Sequence, residues 1–362
     1  MTSREKQILE CLRTNPLISQ KELAQKFGIK RSSVAVHIGN LTKKGYIKGK
    51  GYILQEGDYA VVIGGANLDI AGFSTEPLVM RDSNPGRIRI SSGGVGRNIA
   101  QNLVKLGIKT RLISAVGNDV FGRQIIEDCK RGGIDTSLVK TSDQYASSVY
   151  LSILNNTGDM DLALNDMAIM EMLTIDSISP CHQVIDAASA IVVDTNISRE
   201  LLQHLSSKFK NQLFLDTVST AKTQKVIDCI GFFNTIKPNR KEAEILVGFK
   251  INSVAGAERA VQVLLDKGVS TVVITLGKEG VVYGTAGESG KFRLDAGQLV
   301  NTTGSGDAFM AVLVYGALNE LGLYETVKLA SVASYLTLKN ESSMNTELSI
   351  DLLEKTKMEL NL

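Results

Sequence analysis

The chain has 362 residues, 43% of them hydrophobic and 22% charged, with a net charge of +2. That length suits two domains, or one large α/β domain with an appendage, and the apolar content supplies an ordinary core. There is no apolar run long enough to span a bilayer and no signal peptide is read, so a membrane-spanning role is excluded and a cytoplasmic protein is expected.

The charge is unevenly spread. Residues 1–58 hold 11 Lys/Arg against 5 Asp/Glu, a surplus of six, and the remainder holds 29 against 33, a deficit of four. A basic module joined to an acidic one is the expectation. The four cysteines (Cys11, Cys129, Cys181, Cys229) form no CxxC pair and read as reduced, buried thiols. Three histidines (His37, His182, His204) leave little with which to build a His-based metal site.

In chain order, residues 4–12 carry Ile8, Leu9, Cys11 and Leu12 at helical spacing, and Asn15-Pro16 stops that helix. Ser19-Gln20-Lys21-Glu22 is a capping box that opens a second helix, with Leu23, Ala24 and Phe27 on its apolar face and Gly28 at its end. Residues 31–41 form a third helix with Val34, Ile38 and Leu41 inward, and residues 45–54 read as a small basic hairpin. This succession resembles the winged helix-turn-helix of bacterial transcription regulators. The resemblance implies that the third helix enters the major groove, with Lys30, Arg31, Ser32, Ser33 and His37 toward DNA and Lys48 and Lys50 of the wing on phosphates. A small helical domain for dimerisation or protein contact is the alternative.

Residues 59–65 then form a buried strand ending in glycines, and 111–116, 190–193, 213–215, 235–236 and 271–274 repeat the type. Helical stretches at 96–106, 121–130, 199–209, 241–247 and 256–267 separate them. The alternation predicts a mostly parallel sheet covered on both faces, with ligand groups at the C-terminal ends of its strands. Asn67 and Asp69, after the first strand, suit sugar hydroxyls, although an ordinary turn accounts for them too. In Gly93-Gly94-Val95-Gly96-Arg97-Asn98 the glycines bring backbone close to a ligand and Asn98 faces it from the first helical turn.

Residues 86–91 and 147–154 alternate polar and apolar, and the latter turn at 155–159 and return through 160–164. They read as antiparallel strands with one wet face, in a small β element near 72–91 and 147–165 that ends in Asn165 and Asp166. Asp194 and Asp216 follow buried strands, where helix capping explains them equally well. Thr275-Leu276-Gly277-Lys278-Glu279-Gly280 is a strand end with two glycines; Lys278 reads either as a phosphate contact or as an exposed turn lysine. At 300–309 a polar loop passes through Gly304-Ser305-Gly306 into a buried helix. Unpaired N–H groups at such a helix start suit a phosphate, and Asp307 would sit beside it, able to accept a proton from an attacking hydroxyl.

Asn67-x-Asp69, GGVGRN, the NxxE of Asn239 and Glu242, TLGxxG and TGSGD occur in the order found in the ribokinase (phosphofructokinase-B) family of carbohydrate kinases, which this chain resembles over residues 60–310. The resemblance implies a ribokinase-like three-layer α/β sandwich at 57–362, preceded by the winged helix at 1–56. Its β element would be a lid that closes over the sugar and pairs between subunits of a homodimer. It implies Asp307 as catalytic base, Gly304, Ser305 and Gly306 as anion hole, and Asn67, Asp69, Gly93, Gly94 and Asn98 as ribose contacts, with Asn165 and Asp166 at a base edge. Asn239, Glu242, Thr275, Gly277 and Gly280 would line ATP, with Glu242 reaching Mg²⁺ through water. Asn301 stands where the family usually has an aspartate that helps bind a monovalent cation, so that requirement stays open.

Residues 66–72, 82–86, 93–102, 156–158 and 165–167 are similar to the bacterial pseudouridine kinases. That similarity implies phosphorylation of the 5′-hydroxyl of pseudouridine. The alternatives are another nucleoside such as inosine, a free sugar, or a transcription regulator that uses the kinase fold as a ligand sensor.

Overall fold

Two units divide the chain in the computed structural model, Met1–Asp58 and Tyr59–Leu362. The structure describes residues 1–14, 18–47, 59–209, 212–294, 304–340 and 344–362. In the first unit, helices Ser3–Thr14, Gln20–Phe27 and Arg31–Lys43 bury Ile8, Leu12, Leu23, Val34, Ile38 and Leu41 in one core. The capping box forms as its spacing predicts: Glu22 N donates to Ser19 Oγ, and Ser19 N donates to the Glu22 carboxylate at 2.7 Å. Lys44 at the end of the third helix pairs with Glu5 of the first at 2.8 Å. Residues 48–54 of the expected hairpin lie outside the described residues.

The second unit begins with β1 (Tyr59–Ile63), β2 (Asn67–Ser74), β3 (Gly86–Gly93), β4 (Lys109–Ile113) and β5 (Ala115–Gly117). It continues through β6 (Lys140–Ser142), β7 (Val149–Leu154), β8 (Met160–Asp166), β9 (Ala190–Asp194) and β10 (Leu213–Asp216). The last strands are β11 (Thr235–Ile236), β12 (Thr271–Thr275), β13 (Val281–Gly284) and β14 (Ser289–Phe292). The main sheet has the order β14-β13-β12-β11-β10-β9-β1-β4, parallel from β4 through β12, with β13 and β14 added antiparallel at one edge.

Successive residues of a strand point to opposite faces. Accordingly Val61 and Ile63 join one core, with helices Arg199–Lys208, Arg240–Val247 and Val254–Asp266. Ala60 and Val62 join a second core, with helices Val95–Lys105, Ser305–Leu318 and Leu323–Leu338. The result is helices, sheet, helices, in three layers. No described helix is long and apolar enough to cross a membrane.

A second sheet has the order β3-β2-β7-β8. The expected return of 147–154 through 160–164 forms as the antiparallel pair β7–β8, and β3 pairs antiparallel with β2, whereas β2 and β7 pair parallel. The expectation that fails is one wet face over one buried face: Gly86–Ile90 of β3 are exposed on both faces. Cross-strand register gathers Ile70, Ile88, Ile90, Leu151, Ile153, Leu162 and Leu164 on one face. Ile88 is 75% exposed and Leu164 61%.

Candidate active site

The site is built from β2 with its partner β3 and from the C-terminal ends of β9, β10 and β11. Asn67 and Asp69, two residues apart on β2, share a face, and Asn67 Nδ2 donates to Asp69 Oδ1 at 2.6 Å. Asn67 lies opposite Gly93 in the ladder. A Cβ on Gly93 would overlap the Asp69 carboxylate, so only glycine leaves that carboxylate its place. Gly94, at φ 98, caps the helix Val95–Lys105 against the Gly65 carbonyl. Burial raises the Asp69 pKa, against the opposing hydrogen bond from Asn67 and the charge of Arg97. Asn98, in the first turn of that helix, is buried, and its Nδ2 donates to Asp307 Oδ2 at 2.9 Å. One hydrogen bond thus joins the Gly93–Gly94 loop to the Asp307 helix.

Asp307 is the third residue of the helix Ser305–Leu318, whose N-cap, Gly304, has φ 79 and no side-chain cap. The first-turn amides carry the positive end of the helix dipole and lack intrahelical acceptors. Burial first, and the Asp216 carboxylate second, push the Asp307 pKa well above the usual carboxylate range, against the pull of Asn98 and Lys237. Asp216 accepts from Val218 N at 2.9 Å through Oδ1 and meets Lys237 Nζ at 3.0 Å through Oδ2. Val218 has φ 59, a costly conformation for a β-branched residue, so backbone strain is held at this strand end.

Asn239 and Glu242 face each other in a capping box that opens the helix Arg240–Val247. Asn239 N and Nδ2 donate to the Glu242 carboxylate at 2.9 and 2.7 Å, and Thr217 Oγ1 adds a third donor at 2.6 Å. Thr275 N donates to Pro238 O, placing Thr275 beside Asn239. Gly277 and Lys278 are exposed, whereas Gly280 is packed against the Phe292 carbonyl of β14. The oxygens of Thr217, Asn239 and Glu242 are hard donors of the kind that suits Mg²⁺. No three acidic, His or Cys side chains converge as a metal cage among the described residues.

Strand alternation separates Asn165 from Asp166. Asn165 lies opposite Tyr150, itself opposite Asp69, and so shares the Asp69 face. Asp166 lies opposite Val149 on the other face, where its Oδ1 accepts from Ala168 N at 3.3 Å, so it is not brought to the site. Asp194 is taken up structurally, accepting from Gly65 N and Asn196 N at 2.8 Å each. Asn301 lies outside the described residues. Sequence reasoning passed over Lys237 as a site residue. Its signal was a lysine directly after a buried strand, where a charge needs a partner.

In the first unit, Lys30, Arg31 and Ser32 are exposed at the start of the third helix. His37 is half-buried, with Nδ1 out of solvent and unpaired. Val36, one residue earlier, is 61% exposed and takes the outward place. Lys48 and Lys50 lie outside the described residues.

Residues 58–350 match the family described as "pfkB family carbohydrate kinase", and residues 1–48 match "Winged helix-turn-helix DNA-binding". The chain is 37% identical over 353 residues to the "Uncharacterized sugar kinase YeiI" of Escherichia coli K12, covering 97% of this chain and 98% of that protein. It is 39% identical over 301 residues to the pseudouridine kinase of the same organism, covering 82% of this chain and 96% of that one. A putative sugar kinase from Clostridium perfringens superposes with a TM-score of 0.75 at 32% identity, covering 84% of this chain and 96% of that one.

Proposed function

The chain belongs to the pfkB family of carbohydrate kinases and is an ATP-dependent kinase of a sugar or nucleoside, and on that premise we propose that it phosphorylates the 5′-hydroxyl of pseudouridine. The observation that carries this reading is the Asn98–Asp307 hydrogen bond, which sets a buried carboxylate between the Asn67–Asp69–Gly94 pocket and the helix start at Gly304. The acceptor assignment is supported by the 39% identity to a pseudouridine kinase.

In this reading Asn67, Asp69, Gly93, Gly94 and Asn98 hold the ribose, and Asn165 meets the base from β8. Asp307 accepts the 5′-hydroxyl proton as the oxygen attacks the terminal phosphorus in line; its raised pKa brings it closer to the operating pH. The backbone N–H groups around Gly304, Ser305 and Gly306 stabilise charge on the moving phosphoryl group. Asn239, Thr275 and Gly277 lie along the nucleotide, and Glu242 orients water near the phosphates. Mg²⁺, bound with the nucleotide, supplies charge neutralisation at the phosphate oxygens. The second sheet closes as a lid that keeps water from the phosphoryl group. Its apolar outer face, with Ile88, Ile90, Leu162 and Leu164 exposed, is covered by the same face of a second copy.

The test is a panel of pseudouridine, uridine, inosine, guanosine and ribose with coupled ADP detection. Pseudouridine is expected to give the highest kcat/KM. A win for inosine or ribose replaces the acceptor, and ADP release that ignores the acceptor points to a sensor. Asp307→Asn should lower turnover about 1000-fold with little change in ATP affinity.

A further inference from the structure

We propose that Lys237 is a further catalytic residue, its ammonium bonding to the transferring phosphoryl group from beside Gly306. The inference rests on the reading above that the helix start at Gly304–Gly306 receives that group.

Lys237 follows β11 directly and is 6% exposed. Its Nζ is 3.0 Å from Asp216 Oδ2, with both side chains 7% exposed. A Cβ built on Gly306 would have Lys237 Nζ as its near neighbour among the described residues, at 3.2 Å. The ammonium therefore lies against the helix start itself. Asp216 engages one of its three protons, and no other acceptor among the described residues takes the remaining two. A buried ammonium with two protons unpaired among the described residues, next to amides at a helix start, is arranged for an oxyanion partner.

The charges agree. The Asp216 carboxylate sets an opposite charge 3.0 Å from the ammonium in a buried setting. A lysine is a compact point charge that can rotate between Asp216 and a phosphate oxygen without moving its stem. Asp216 then holds the ammonium in place while no nucleotide is bound. During transfer the equatorial oxygens gain a cation beside Gly306, in addition to the backbone N–H groups there.

A merely structural lysine would neutralise Asp216 and do nothing more. Two variants separate these roles: Lys237→Met, and the double variant Lys237→Met/Asp216→Asn, which removes both charges and leaves no unpaired carboxylate in the interior. Both are expected to lose about 100- to 1000-fold in kcat, with the KM of the acceptor within a few-fold and the double variant melting near the wild type. Recovery of the double variant to within about fivefold of wild-type kcat would show charge balancing alone and overturn the proposal; so would wild-type turnover in Lys237→Met. Asp307→Asn is assayed in parallel. If it stays active, the underlying placement of the phosphoryl group fails. If it is dead while the Lys237 variants are active, the lysine assignment alone fails.

Discussion

Asp307 is a carboxylate kept from water beside the carboxylate of Asp216, and both features raise its pKa. The native state therefore binds its proton more tightly than the unfolded chain does. As pH rises past the ordinary carboxylate range, the unfolded chain ionises first, and the folded state loses relative stability until Asp307 itself ionises. Asp307→Asn should accordingly raise the thermal midpoint by a few degrees at pH 8 and by less at pH 5, while lowering turnover about 1000-fold. Scanning fluorimetry at the two pH values checks this; an equal or lower midpoint at pH 8 would contradict it. Asp307, Asn98 and the paired Asn67 and Asp69 were legible in the sequence, because glycines beside polar residues mark where backbone meets ligand. Lys237 was not, because its meaning lies in Asp216 and Gly306, which reach it only through the fold. Asp166 was grouped with Asn165, although the two-residue period of β8 turns the two to opposite faces.

At the scale of elements, the best-read features are local. Ser19 and Glu22 cap their helix as their spacing requires, and the buried runs at 59–63, 190–193 and 271–274 all become strands. Pairing direction is another matter. Alternation reports which face a residue takes and says nothing of its neighbour, so the parallel pairing of β2 with β7 was missed, as was the edge pair β13–β14. β2 was not read as a strand, its first residues being assigned to sugar hydroxyls or an ordinary turn, although Asn67–Ser74 form one strand. The link from helix to helix in the first unit is testable by acid. The hydrogen bond from Lys44, then that from the Thr2 amide, lowers the Glu5 pKa to about 2. Its stabilisation is complete above about pH 4.5 and is lost as pH falls toward 2. Glu5→Gln should lower the first thermal transition of the full chain at pH 6 and flatten its decline between pH 4.5 and 2.5, by circular dichroism. An unchanged decline would remove Glu5 from the account.

For the molecule as a whole, composition already separated a basic first module from an acidic second. Cationic residues at the start of the third helix predict DNA binding that weakens with salt. Gel shifts on genomic fragments at 50 and 200 mM salt should show affinity falling at least tenfold, a further loss in Arg31→Ala, and none retained by a chain lacking residues 1–58. That deletion should leave kinase turnover within about twofold, since the groups proposed to hold phosphate and ribose all belong to the second unit. Equal retention of the deleted and complete chains on DNA would refute the assignment. The bond from Asn98 to Asp307 spans 209 positions of the chain. A ribosome must therefore have released most of the polypeptide before those two side chains can meet, and a nascent or prematurely terminated product ending short of residue 307 would carry Asn67, Asp69 and Asn98 without the carboxylate that Asn98 holds in the complete chain.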